Sequence, residues 1–188
     1  MPKVIKDIDK KILTTAEELF KEKGYENVDM RFIAKTTGIA VGTLYNYYKN
    51  KFDLFSIVLE NSWNRTLKKC EEIEDEKVNY DEKLIKILST IYEDIINRKG
   101  MGSQFMRELH KRDKEKETNE KMKNFGQKNS EIIKRVILKG IKAGVFKEEE
   151  EFIEHMAYDL LMLCVHLRNK YEKEDAIKYI KYRVKRMC

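Results

Sequence analysis

Apolar residues along this chain recur mostly at three- and four-residue steps, the spacing that gives a helix one buried face. Ile5, Ile8, Ile12, Ala16, Leu19 and Phe20 form the first stripe and predict a helix over 5–23. Lys21 and Lys23 suit its negative end, and Gly24 tolerates the left-handed conformation that closes it. Asp29 can cap a second helix over 30–37, which Gly38 stops. A third, short helix is expected over 40–48. A fourth should begin near Lys51, with Leu54, Phe55, Val58, Leu59, Trp63 and Leu67 inward, and fade before the acidic segment 71–76.

The same spacing marks a fifth helix through Leu84, Ile87, Leu88, Ile91 and Ile95, broken at Gly100 and Gly102, and a short sixth through Phe105 and Leu109. A seventh carries Ile132, Ile133, Val136, Ile137 and Ile141 and stops at Gly144. An eighth runs from about Glu149 through Leu167, and a last one carries Ala176, Ile177, Ile180 and Val184. Between the sixth and seventh, residues 111–124 hold six cations and four acids with one apolar residue, and read as a solvated face or loop. No stretch alternates as a strand would. The expected fold is all-α with about nine helices, and a single proline with eight glycines agrees with it. The expected division is a short helical domain over 1–50 and a larger helical domain over 51–188.

The eighth helix is apolar over more than one stripe, so it needs partners on two sides. Its own core supplies one. A second subunit can supply the other, with the last helix alongside, although a central helix in a monomeric bundle would carry the same pattern.

Charge sharpens the picture locally. Residues 1–60 hold ten Lys and Arg against nine Asp and Glu, yet between Met30 and Phe52 stand Arg31, Lys35, Lys49 and Lys51 with no acid. Such a stretch suits a phosphate-facing surface. Residues 168–188 hold eight cations against three acids and are read as a solvated dimer rim, with acidic partners or lipids as the other openings. Three scattered cysteines, Cys70, Cys164 and Cys188, suit a reducing cytoplasm, with Cys70 and Cys164 as core residues. The N-terminus has no apolar signal core, and no apolar run reaches membrane-spanning length, so no membrane partner is expected.

The segment 30–51, MRFIAKTTGIAVGTLYNYYKNK, carries the functional signal. Ile33 and Ala34 face inward, Gly38 supplies the turn, and Ile39, Leu44 and Tyr48 pack the next helix back. Val41, Gly42, Thr43, Tyr45, Asn46 and Tyr47 are left on or near its outside. This is helix-turn-helix geometry, in which the second helix enters the major groove by its N-terminal end. Gly42 allows close approach. Thr43 can meet a phosphate or a thymine methyl, Tyr45 and Tyr47 can donate to phosphates, and Asn46 can pair with an adenine edge. Lys49 and Lys51 are placed to neutralise phosphates. An ordinary helical hairpin with a solvated face shares the pattern.

The stretch from Ala16 to Phe55 closely resembles the DNA-binding domain of the TetR family of bacterial regulators. The matching pieces are Phe20 with Gly24 and Tyr25, then Ile33-Ala34, Gly38, Gly42-Thr43-Leu44-Tyr45, Tyr48, and Lys51 with Leu54. The resemblance implies a three-helix DNA-binding domain, a helical effector domain and a homodimer joined by the last two helices. It also implies DNA contacts from Arg31, Thr43, Tyr45, Tyr47 and Lys51, with Ile33, Leu44 and Tyr48 in the core. One departure is Ala40, where the family often has Ser or Thr. Alanine cannot cap by its side chain, a loss of roughly 1 kcal/mol.

Other chemistry finds little support. His155 and His166 lie eleven residues apart, about 16 Å along a helix, too far to share a metal ion. No phosphate-binding glycine loop or nucleophile elbow occurs, so neither a cofactor nor an enzyme is expected. Trp63, Tyr92, Met101, Phe105, Met106, Tyr158, Met162 and His166 are candidate walls of a cavity for an apolar or aromatic effector, although such residues are more often plain core. Two functions remain open. One is a repressor released from a palindromic operator by a small molecule. The other is a non-transcriptional helical scaffold or DNA-packaging protein of the same fold.

Overall fold

The computed structural model describes residues 8–111, 115–147, 149–168 and 170–188. Its elements are all helical: α1 (Ile8–Lys23), α2 (Met30–Thr37), α3 (Val41–Tyr47), α4 (Lys51–Glu74), α5 (Tyr80–Asn97), α6 (Met101–His110), α7 (Glu115–Lys142), α8 (Ile153–Leu167) and α9 (Lys173–Lys185), with a short 3₁₀ turn at Glu150–Phe152 before α8. Ile5, expected in the first helix, lies outside the described residues. The chain divides into two compact units. One comprises Met1–Ser62 with Arg98–Glu115, the other Trp63–Asn97 with Lys116–Cys188.

The first unit closes around aromatic rings. Phe20 of α1 meets Phe55 of α4 edge-on at 4.8 Å between centroids, and Tyr25 lies 4.8 Å from the same ring. Phe105 of α6 stacks on Phe52 at 5.5 Å. Around them Ile12, Ala16, Ile33, Ala34 and Leu44 are fully buried. The stripe read from the sequence in α1 is its buried face, through Ile12, Ala16, Leu19 and Phe20, and α1 packs on α2.

In the second unit α5 packs on both α8 and α9. Leu84, Ile87 and Leu88 of α5, Ile133 and Val136 of α7, Ala157 and Cys164 of α8, and Ala176 and Ile180 of α9 share one core. Burial pushes the Cys70 and Cys164 thiols up to about 12, which leaves both as inert packing groups at neutral pH. Gly140 is required here. A Cβ on it would stand 2.3 Å from Cδ2 of Phe146.

One element differs from the expectation, and one choice left open is narrowed. Helix α4 does not fade before residue 71 but continues to Glu74. Cys70 is fully buried and Ile73 packs on the core, so the acidic segment still has an inner face. Glu74 then receives Arg135 at 2.6 Å and Lys139 at 2.9 Å, both from α7. The charged run before the seventh stripe is helical from Glu115 onward, not a loop, while residues 112–114 lie outside the described residues. Lys and Glu are good helix formers, and a helix with one charged face needs no apolar stripe along its whole length.

The pairing lowers the pKa of Glu74 from 4.5 to about 2, chiefly through its hydrogen bond to Arg135. A depressed carboxylate stabilises the fold fully above its unfolded pKa, and that contribution disappears as pH falls from about 4.5 towards 2. Both cations are about half exposed, which limits the value to about 1–2 kcal/mol. Glu74→Gln should therefore lower stability by that amount near neutrality and by progressively less in acid. Urea denaturation in parallel at neutral and acidic pH checks this, and an undiminished difference near pH 3 would exclude an ionic origin.

Candidate nucleic-acid interface

Helix α2 is set by its two ends. Asp29 has extended backbone, and its Oδ1 accepts from the Phe32 N–H at 2.7 Å, a side-chain cap on one of the orphan donors. At the other end Gly38 takes φ 77° and ψ 35°, the left-handed region. From there its N–H reaches the Lys35 carbonyl at 3.2 Å, and the Ile39 N–H reaches Ala34 at 3.0 Å. This closes α2 and turns the chain into α3. Thr37, fully buried, donates its hydroxyl to the Ile33 carbonyl at 2.8 Å.

Helix α3 starts without side-chain help, since Ala40 forms no cap hydrogen bond. Leu44 is buried and seats the helix on the unit. Tyr48 follows as the C-cap residue and is also buried. The outer face carries Gly42, Tyr45, Asn46 and Tyr47, all exposed, flanked by half-buried Val41 and Thr43. Tyr45 and Tyr47 are each 49% exposed, unusual for rings of this size. Arg31 and Lys49 are exposed beside them.

Lys51 behaves differently from the other predicted contacts. It is half-buried, its ammonium donates to the Tyr25 carbonyl at 2.8 Å, and it lies 4.0 Å from the centroid of the Tyr25 ring. In the free chain it joins the start of α4 to the turn after α1.

Three groups that the sequence reading did not single out also position the interface. Asn50 caps α4, its Oδ1 accepting from the Asp53 N–H at 3.0 Å while its Nδ2 donates to the Asp53 carboxylate at 2.8 Å. The Asn-x-x-Asp spacing before a helix was the available signal. Gln104 of α6 accepts from the Tyr25 N–H at 2.7 Å through Oε1. Asp9 accepts from the Tyr48 hydroxyl at 2.5 Å. These last two pairs span 79 and 39 residues, and no local pattern announces them.

The effector candidates fall in both units. Met101 and Phe105 are buried in the first unit, with Met106 partly so. In the second, Trp63 and Tyr92 are buried, Met162 is partly buried, and Tyr158 and His166 are exposed on α8. The Tyr92 hydroxyl is buried with no hydrogen-bond partner among the described residues. Among those residues no group of three His, Cys, Asp or Glu is placed to hold a metal ion, and no helix is long and apolar enough to cross a membrane.

Comparison with known proteins places this geometry. The pattern of bacterial regulatory proteins of the tetR family matches residues 12–57. The fatty acid metabolism regulator protein of Bacillus subtilis (strain 168) is 27% identical over 137 residues, 73% of this chain and 70% of that protein. An HTH-type transcriptional regulator of Staphylococcus aureus (strain bovine RF122 / ET3-1) is 41% identical over 61 residues, 32% of this chain and only 33% of its own length. Among solved structures, a transcriptional regulator of the TetR/AcrR family from Thermobifida fusca has TM-score 0.76 at 18% identity, covering 94% of this chain and 96% of that one. A putative fatty acid metabolism regulator of Clostridium perfringens has TM-score 0.69 at 21% identity, covering 95% and 98%.

The two caps of the pair make opposite predictions. Asp29→Ala should destabilise the first unit by about 1 kcal/mol, and Ala40→Ser, at an extended position ready for a cap, should stabilise it by a similar amount. Thermal denaturation of both variants measures the signs. A lower Tm for Ala40→Ser would show that α3 does not start as described.

Proposed function

This chain belongs to the TetR family of bacterial transcription regulators, and we propose that it is a homodimeric repressor that leaves a palindromic operator when it binds an acyl-chain effector. The observation that carries the DNA-binding part is the outer face of α3. Two half-exposed tyrosines, an exposed asparagine and an exposed glycine stand beside cations in a stretch without acids. An anionic duplex is the partner that such a face fits. We assign groove contacts to Val41, Gly42, Thr43 and Asn46, and phosphate contacts to Arg31, Tyr45, Tyr47 and Lys49. Lys51 joins them if it exchanges the Tyr25 carbonyl for a phosphate.

The dimer reading rests on α8 and α9. Phe152, Tyr158 and Val165 stand exposed on or beside α8, although its other side already fills the core. Tyr179 and Tyr182 stack on each other on the surface of α9. A cleft of about 320 Å³ lies between the two helices, walled by Met156, Leu160, Tyr182 and Met187 together with the charged Asp159, Arg183 and Arg186. A second copy covering this face would remove the exposed apolar surface from water.

The effector class rests on relatives. The alignment with the Bacillus subtilis regulator of fatty acid metabolism extends well beyond the DNA-binding segment. A solved structure at 21% identity and TM-score 0.65 is a transcriptional regulator FadR from Bacillus subtilis in complex with stearoyl-CoA. Helix α4 contributes residues to both units and is one of the covalent connections between them.

Thr43→Ala with Tyr47→Ala should leave helicity unchanged and weaken binding to a duplex selected from a random library by at least tenfold, from two lost contacts of about 1 kcal/mol each. Circular dichroism and a DNA titration check both halves. Wild-type binding indifferent to sequence would favour the packaging protein instead.

Effector and operator must weaken each other by one common factor, corresponding to about 1–3 kcal/mol in typical allosteric coupling. Stearoyl-CoA titrated with and without the selected duplex should show that difference, while coenzyme A alone should not. Equal affinity for stearoyl-CoA in both titrations would remove the acyl chain as the inducer.

A further inference from the structure

The face of α3 raises a mechanical question. Tyr47 is half exposed and sits in the last turn of a helix only seven residues long. Among the described residues the ring has one aromatic neighbour. Tyr48 lies 6.5 Å away between centroids at an interplanar angle of 29°. Tyr48 in turn is 5% exposed and points inward, where its hydroxyl donates to Asp9 Oδ1 at 2.5 Å. Asp9 belongs to the first turn of α1, a different element from the helix-turn-helix pair.

We propose that Asp9 is a positioning residue for operator binding: its carboxylate holds the Tyr48 hydroxyl, and the held Tyr48 ring keeps Tyr47 aimed at the DNA. The proposal rests on the reading above that Tyr47 meets the operator. Asp9 is itself exposed, and a carboxylate near DNA would ordinarily repel the phosphates. Here that charge is turned to an internal task. Burial, and next the hydrogen bond to Asp9, hold the Tyr48 phenol above its ordinary pKa, so the phenol keeps its proton and remains the donor. A charge-assisted bond of this kind is short and directional, which is what fixing the angle of a ring demands. The tie also anchors α3 at its C-terminal end, the end opposite to the uncapped Ala40.

The test uses the full-length protein and a duplex selected by the wild type from a random-sequence library. Tyr48→Phe keeps the ring and removes the donor. Asp9→Ala removes the acceptor, and Asp9→Asn restores an oxygen acceptor without the charge. Tyr48→Phe and Asp9→Ala should each weaken binding about three- to tenfold, the range of one hydrogen bond, with Asp9→Asn close to wild type. In a Tyr47→Phe background the same two substitutions should have much less effect, because the group they aim is gone. A purely structural bond would give losses independent of Tyr47, and that additivity would overturn the proposal. Unchanged affinity in Tyr48→Phe would overturn it as well. If Tyr47→Phe itself binds like wild type, the assignment of Tyr47 to the operator fails, and the proposal fails with it. Thermal denaturation of every variant separates lost folding from lost aim, and Tyr48→Phe tests the tie without opening a cavity.

Discussion

The helix-turn-helix depends on the aromatic cluster behind it. Helices of eight and seven residues do not persist alone, because nucleation costs more than so few hydrogen bonds return. They persist here because Ile33, Ala34 and Leu44 seat them on a unit whose centre is Phe20, Tyr25, Phe52, Phe55 and Phe105. Aromatic pairs of this geometry add about 0.5–1.5 kcal/mol each beyond the burial of their area. Tyr25 is the junction. Its ring lies in the cluster, its carbonyl takes Lys51 and its N–H meets Gln104, so α1, α4 and α6 converge on one residue.

That arrangement explains how residues 1–60, with nearly balanced charge, offer a cationic face. Several acids of the first unit are engaged away from α3. Asp29 caps α2, Asp53 pairs with the α4 cap, Glu17 holds Lys21 at 2.6 Å, and Glu26 and Glu108 share Lys111. Each carboxylate that serves a helix end or a neighbouring lysine is one fewer near α3. The field over the recognition helix comes from placement of charges, not from their sum.

The legible parts of the fold were those decided by near neighbours. The stripe in α1, the Asp29 cap and the Gly38 stop all follow from residues within one or two turns. The same reading placed α4's end too early because the groups that prolong it, Arg135 and Lys139, come from another helix 61 and 65 residues away. It read 111–124 by composition, which distinguishes polar from apolar but not helix from loop. At the candidate site, the outward set from Gly42 to Tyr47 was visible in the helical period. The inward engagement of Lys51 was not, because a lysine before a helix looks the same whether it faces phosphate or a carbonyl. Tyr48 was legible as core, but its hydroxyl partner Asp9 was not, since ring burial follows from periodicity and bond partners do not.

The energies of the site have a consequence for control. Helix α3 has no side-chain cap, one buried leucine within its length and a C-terminal tie to Asp9. Each of its polar fixings is worth about 1 kcal/mol. A rigidly held reading head would need a large coupling energy to be displaced. This one is held by increments comparable to the 1–3 kcal/mol that typical allosteric coupling supplies. Light fastening at α3 over a firm aromatic base therefore lets a modest energy shift the helix without unfolding the unit. The absent cap at Ala40, a defect by the standards of stability alone, belongs to the same economy. A serine there would strengthen the helix and, by the same reasoning, make it harder to displace.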